Sequence, residues 1–288
     1  MEEKALERLF SDVEETGLLT LYGKAIESQS ENPILDDTVA VAMTEKLDPI
    51  LAKSDSKLLR RLYKRKIDPR LVVHLALRAR KYDCYAREFL SRYPDAGIVN
   101  IGCGLDPRFQ RIDNHSVRYF DLDLPEVIQF KQALLDETDR YRMIASSVFD
   151  AAWMETVNLS GAKHWMFMAE GVFMYLQPDK VKKLVLDLQA QFPGSELVCE
   201  VVKKSLTKGM LHKIAAMKMK KRFDIGNAAG YQFGLDTPAE MESWRKGIKY
   251  LEAWSYFDSN HPKLGMMRTF HKSQYFREMQ YTVHYLLG

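Results

Sequence analysis

The turn Gly102-Cys103-Gly104 follows the apolar run Ile98-Val99-Asn100-Ile101 and brings bare backbone to the end of a short strand. Two glycines let a chain approach a ligand closely, as happens at the carboxyl ends of strands in doubly wound sheets. Alone, such a turn is as readily a tight structural bend. Carboxylates recur at comparable places further on. Asp121 and Asp123 stand in Phe120-Asp121-Leu122-Asp123-Leu124-Pro125, at the end of the next apolar run. Glu170 closes Met166-Phe167-Met168-Ala169, where a carboxylate is costly unless it is paired or faces a polar cleft. Its bland reading is a cap or an ion-pair partner.

A dinucleotide site wants a third glycine, so that a helix N-terminus can meet the pyrophosphate. Here that place reads Leu105-Asp106-Pro107, and Pro107 has no amide donor. A pyrophosphate is poorly served. A carboxylate at the end of the next strand can still accept from both ribose hydroxyls. Adenosine without a pyrophosphate fits, which points to S-adenosylmethionine and methyl transfer rather than to hydride transfer.

Elements that would position these residues are visible on both sides of the turn. Residues 1–95 read as a helical cap. Leu6, Leu9, Phe10 and Val13 share one face, and Val39, Met43 and Leu47 another. A further helix is expected from Asp68-Pro69 to Phe89-Leu90, ended by Tyr93-Pro94-Asp95-Ala96-Gly97. From 96 to 288 short apolar runs alternate with helical spacing. Ile98–Ile101, Val117–Leu122, Tyr141–Ala145, His164–Ala169 and Glu196–Val202 are strand candidates, with helices expected over Leu124–Thr138 and Pro178–Phe192. Tyr250–Phe257 and Gln280–Leu287 are two more strands, joined through a helix from Leu264 to Met279. The expectation is an α/β protein: a doubly wound, mostly parallel, seven-stranded sheet whose last strand is antiparallel, with an insertion at about 203–245.

Three stretches resemble the leucine carboxyl methyltransferase superfamily, within it the bacterial branch of polyketide O-methyltransferases. They are Val99–Phe109, Tyr119–Pro125 and Ala169–Leu176. Gly17–Ala25 and Arg78–Asp83 are similar to that branch's upstream motifs, and the matches run in order from about residue 17 to 180. The resemblance implies a class I methyltransferase fold and roles for single residues. Arg78 would reach the methionine carboxylate, a task suited to a forked, permanently charged donor, though a surface arginine is the plain alternative. Gly102 and Gly104 would admit the amino acid end of the cofactor. Asp123 would hold the ribose, with Asp121 as alternative. Ser147-Val148 would sit by the adenine, with Asp150 competing. Glu170 would lie near the cofactor's amino group or sulfonium. Arg108 and Asp106 read as partners that fix the glycine turn. Pro107 stands where relatives often carry threonine.

Methyl transfer from a sulfonium mainly needs alignment and exclusion of water. A carboxylate acceptor needs no base, whereas a phenol or alcohol does. His74, His115, His164, His212, His261, His271 and His284 are scattered, and none stands out as that base. This favours a carboxylate or an acidic hydroxyl on a small molecule. Tyr22 and Tyr175 are the first choices for substrate contacts. Protein C-terminal carboxyl methylation is the rival within the fold, and a non-enzymatic adenosine- or nucleic-acid-binding module is the rival outside it. Lys203–Arg222 holds eight Lys or Arg residues, with Leu206, Met210, Ile214 and Met217 on one helical face. A lid over the acceptor pocket is the reading favoured over a membrane or nucleic-acid helix. The net charge of +3 gives no reason to expect nucleic acid. No run nears the roughly 20 apolar residues of a membrane span. Three widely spaced cysteines, Cys84, Cys103 and Cys199, lack metal-type spacing and suggest a reducing, cytoplasmic setting.

Overall fold

The computed structural model describes residues 15–208 and 230–288. The face built on Leu6, Leu9, Phe10 and Val13 lies outside the described residues. So does the basic stretch beyond Lys208, of which the described part, Lys204–Thr207, is a 3-10 turn with Leu206 buried.

Four helices precede the sheet: α1 (Glu15–Ser28), α2 (Thr38–Ala52), α3 (Lys57–Tyr63) and α4 (Pro69–Arg92). Their starts are set by side-chain caps. Asp37 accepts from the N–H of Ala40, Ser56 from Leu59, and Asp68 from Arg70, with Pro69 in the first turn where its missing N–H costs nothing. Leu18, Leu21, Tyr22, Met43, Leu47, Leu51, Leu62 and Leu75 pack into one cluster that also takes in Leu105 and Phe130 from the sheet half.

The remaining elements alternate, as expected. They are β1 (Gly97–Ile101), α5 (Arg108–Ile112), β2 (Arg118–Asp123), α6 (Pro125–Gln132), β3 (Tyr141–Ala145), α7 (Ala152–Asn158), β4 (Trp165–Ala169), α8 (Pro178–Gln191) and β5 (Ser195–Lys203). Then come β6 (Gly234–Leu235), β7 (Ile248–Trp254), α9 (Gln274–Arg277) and β8 (Gln280–Leu287). The sheet order is β3-β2-β1-β4-β5-β8-β7, with β6 pairing β5. β8 runs antiparallel to both β5 and β7, while β1 to β5 are mutually parallel.

The seven expected strands are present, and four details differ. An eighth strand exists, the two-residue β6, laid parallel to the end of β5 inside the insertion. β7 starts and stops earlier than Tyr250–Phe257, because Ser255 and Asp258 form a reciprocal cap that turns Tyr256–Asp258 into a 3-10 helix. The helix foreseen over Leu264–Met279 is a 3-10 segment, Pro262–Lys272, broken at Gly265 (φ 54°, ψ −131°), followed by the single turn α9. The helix after β2 also stops at Gln132, short of Thr138.

Strand alternation gives the sheet two unlike faces. Val99, Ile101, Phe120, Leu122, Phe167, Ala169, Cys199 and Val201 form a dry core with α7 and α8. On the other face Ile98, Tyr119, Met166, Met168 and Val198 pack under α4 and α5. That face alone also carries buried Asn100, Asp121, Glu196 and Glu200. Of these, Glu196 pairs with Arg92 and Glu200 with Arg78, both on α4.

Candidate functional site

The chain reverses its direction of progress across the sheet between β1 and β4, so their carboxyl ends bound the crevice where doubly wound sheets take ligands. Gly102 and Gly104 leave β1 with φ of +62° and +50°, conformations that favour glycine. A Cβ on Gly102 would meet Val172 at 2.4 Å, whereas one on Gly104 would find nothing within 4 Å. The backbone of Gly104 is therefore uncovered on the side where a side chain would stand.

Asp123 ends β2 beside this turn. Its Oδ2 accepts from the N–H of Gly104 at 2.7 Å and its Oδ1 from Leu124 at 2.8 Å. Burial pushes its carboxyl above the usual range, against the pull of those two donors. Asp121 is placed differently. It is buried, and Asn100 (3.0 Å), Lys131 (2.7 Å) and the Tyr141 hydroxyl (2.6 Å) saturate it inside the sheet face. Of the two carboxylates, Asp123 is the one at the open end.

Glu170 follows β4 and is gripped by two arginines. Arg78 donates from Nε to its Oε1 at 2.8 Å, and Arg108 holds its Oε2. Burial alone would raise this carboxyl; the two guanidiniums outweigh it and pull it down to about 2. Arg108 also reaches Asp83 from Nε (2.9 Å), Asp106 from the Nη2 that holds Glu170 (3.0 Å) and the Asn100 side-chain oxygen from Nη1 (3.3 Å). Arg111 joins Asp37, Asp83 and Asp106, and Lys24 joins Asp106 at 2.8 Å. Asp106 and Arg108, which follow the glycine turn, are thereby fixed in a buried ion-pair cluster. Arg78 also donates from Nη1 to Glu200 on β5 at 3.0 Å. In all, Lys24, Arg78, Arg108 and Arg111 face Asp37, Asp83, Asp106, Glu170 and Glu200. With every group ionised the carboxylates exceed the cations by one, which suits a ligand of net positive charge.

The other expected site residues divide. Ser147 and Val148 are half-buried in the loop after β3, with the Val148 carbonyl already accepting from Trp153 Nε1. Asp150 is exposed beyond them. Tyr175 is half-buried in the turn after Glu170, its ring 5.8 Å from that of Tyr231. Tyr22 is not at an open surface. It is fully buried between α1 and α2, donates to Asp48 at 2.9 Å, and lies under the Arg65 guanidinium. Its place is in the packing of the helices, which corrects the expected substrate contact. Sequence reading missed Lys24 and Glu200. Lys24 lay inside the Gly17–Ala25 motif, and Glu200 was the one acid among the apolar residues of its strand beside the strand-start Glu196.

Residues 17–189 match the leucine carboxyl methyltransferase family. The chain belongs to that family. It is 30% identical over 253 residues to the tetracenomycin polyketide synthesis O-methyltransferase TcmP of Streptomyces glaucescens, covering 86% of this chain and 84% of that one. It is 26% identical over 259 residues to the S-adenosyl-L-methionine-dependent methyltransferase dpfgK of Gibberella zeae, covering 83% and 80%. Among solved structures, a DUF574 family protein from Streptomyces avermitilis shares the fold with a TM-score of 0.55 at 14% identity, over 93% of this chain and 96% of that one. This family member is an S-adenosylmethionine-dependent methyltransferase. Among its described residues no helix is long and apolar enough to cross a membrane, and its three cysteines are unpaired.

Proposed function

We propose that the enzyme methylates an oxygen, a carboxylate or acidic hydroxyl, of a small-molecule acceptor. The observation that carries this reading is the joining of Gly104 to Asp123 across the ends of β1 and β2, one strand from the Arg78–Glu170 pair at the end of β4. The residues present fit S-adenosylmethionine. Asp123 has acceptor capacity left for ribose hydroxyls. Ser147 and Val148 stand where the adenine would lie. Gly102 and Gly104 admit the amino acid end, and Arg78 and Glu170 offer a donor for its carboxylate and an acceptor for its ammonium. When bound, the cofactor supplies a methyl group on a positively charged sulfur. The protein's part is to orient that group, exclude water and hold the acceptor in line. The excess carboxylate of the cluster suits a cofactor with two positive charges and one negative.

The acceptor reading is supported by the similarity to TcmP, an enzyme of polyketide synthesis by its name. Within 1–95, the helices from Glu15 to Arg92 serve as a cap on the sheet half, contributing Lys24 and Arg78 to the cluster. The test uses cofactor carrying a tritiated methyl group, offered with small-molecule acids and phenols on one side and with peptides bearing free C-terminal carboxylates on the other. Label in a small molecule supports the reading. Label only in peptides contradicts it. Release of labelled methanol in mild alkali marks an ester, and its retention marks an ether.

A further inference from the structure

Glu170 and Glu200 stand side by side toward the ends of neighbouring strands. Ala169 on β4 pairs with Cys199 on β5, so the two carboxylates follow in register, one strand spacing of about 5 Å apart. Like charges so placed repel one another. Arg78 lies between them, donating from Nε to Glu170 at 2.8 Å and from Nη1 to Glu200 at 3.0 Å. Tyr82, one turn further along α4, donates to the Ala169 carbonyl at 3.2 Å and keeps the helix over this strand end.

The two carboxylates are not equivalent. The side chains of Arg78 and Glu170 are 12% and 10% exposed, whereas that of Glu200 is 3% exposed. Glu200 has a second fixed partner, because the Gln280 amide at the start of β8 donates to its Oε1 at 2.7 Å. The backbone closes over it as well. Gly171 has φ of +72°, and a Cβ there would stand 3.6 Å from both Arg78 Nη1 and Glu200 Oε2. Glu170 is the proposed acceptor for the cofactor's ammonium, and Arg108 already holds its other oxygen. Glu200, set deeper, reaches the site through the Arg78 guanidinium. Burial raises the Glu200 carboxyl above its usual range and Glu170 adds to this, so its ionised form depends on Arg78 as counter-charge.

We infer that Glu200 is a positioning residue, which holds the Arg78 guanidinium in a fixed plane to receive the amino acid carboxylate of the cofactor. The inference rests on the methyltransferase reading and deepens it by a residue that itself touches no ligand. An arginine side chain gives up much rotamer freedom when it is ordered. Here two bonds in different directions order it before a ligand arrives, which raises affinity without any new ligand contact. The guanidinium has more donors than these two bonds use, so others remain for the incoming carboxylate. When the ammonium engages Glu170, the bond to Glu200 still fixes Arg78. Loss of Glu200 should therefore weaken the grip on the amino acid end of the cofactor and leave the adenosine end alone.

The test uses the full chain and two ligands, S-adenosylhomocysteine and 5′-methylthioadenosine. The first carries the amino acid carboxylate and ammonium, and the second keeps the adenosine and sulfur without them. Calorimetry gives the affinity of each for wild type, Glu200→Gln, Arg78→Ala and the double variant, with circular dichroism reporting the fold. Wild type should bind S-adenosylhomocysteine the more tightly. Glu200→Gln keeps the side chain's shape and loses its charge. It should weaken S-adenosylhomocysteine about tenfold, the scale of one arginine left to be ordered on binding, and hold 5′-methylthioadenosine within about twofold. In the Arg78→Ala background the same change should add no more than about twofold, because Glu200 acts through the arginine. Gln280→Ala withdraws the other partner of Glu200 and removes no charge. It should move S-adenosylhomocysteine in the same direction by about threefold, and it decides the matter if Glu200→Gln does not fold. The inference is overturned if both ligands weaken equally, if S-adenosylhomocysteine binds the folded variant as it binds wild type, or if the effects of Glu200→Gln and Arg78→Ala add in full. A wild type that binds neither ligand is a separate result, which removes the methyltransferase reading and the inference with it. A wild type that binds both equally removes Arg78 as the carboxylate's donor and overturns the inference while leaving the adenosine site in place.

Discussion

The backbone N–H of Gly104 donates to Oδ2 of Asp123 over 2.7 Å, so the turn after β1 and the carboxylate after β2 form one unit. Asp123 is held by backbone donors on one side and keeps lone pairs for a ligand on the other. Burial raises its folded carboxyl above the usual value near 3.8. A raised carboxyl favours the neutral form in the fold. Its contribution is present below the usual value and is lost as pH rises through the shifted one. Asp123→Asn should therefore gain stability relative to wild type as pH rises from about 4 to 7, while cofactor affinity falls at least about tenfold for the lost charged acceptor. Parallel urea melts and titrations check both.

The two glycines of the turn should separate in a stability assay and behave alike in a cofactor-binding assay. Gly102→Ala must adopt a left-handed conformation, at about 1–2 kcal/mol, and must also displace Val172, which a Cβ would meet at 2.4 Å. Gly104→Ala carries the conformational cost alone, because nothing lies within 4 Å. Chemical denaturation should rank Gly102→Ala as the less stable. Cofactor binding should be lost as fully in Gly104→Ala, because Gly104 is the residue whose N–H is tied to Asp123 at the site.

Tyr22 was a plausible substrate contact by sequence and is a core residue by structure. Tyr22→Phe removes its bond to Asp48 and should cost about 1 kcal/mol of stability with kcat and KM unchanged. A selective fall in kcat without loss of stability would return Tyr22 to the site.

Glu170 links the cluster to pH in the opposite sense from Asp123. Arg78 and Arg108 overcome burial and lower it to about 2, so its stabilisation is present above the ordinary value near 4.5 and is lost as pH falls from there toward 2. Glu170→Gln should destabilise the protein by about 2 kcal/mol at neutral pH, the scale of one charge-assisted hydrogen bond. The difference should shrink to nothing in acid, as melts between pH 7 and 2 would show.

How much was legible follows from which forces are local. The strands and the glycine turn were visible because buried parallel strands are short apolar runs and positive φ selects glycine. Asp123 and Glu170 were visible because acids at strand ends break those runs. The braced cluster was not. Lys24, Asp83, Arg111 and Glu200 come from four separate elements, and charge pairing over such separations leaves no periodic trace. Glu200 looked like an isolated acid in a strand until Arg78 was seen to tie it to Glu170. The region after residue 260 misled because its apolar spacing resembled a helix, while Gly265 and Ser273 divide it into short turns.

The central claim is that the crevice between β1 and β4 holds S-adenosylmethionine through Asp123, Arg78 and Glu170. Calorimetric titration of the cofactor into wild type, Arg78→Ala and Asp123→Ala tests it most directly. The account predicts one site per wild-type chain and at least about a hundredfold loss in each variant, the scale of a lost buried charged contact, with native circular dichroism retained. A folded wild-type protein that binds no cofactor, or variants that bind it as well as wild type, would contradict it.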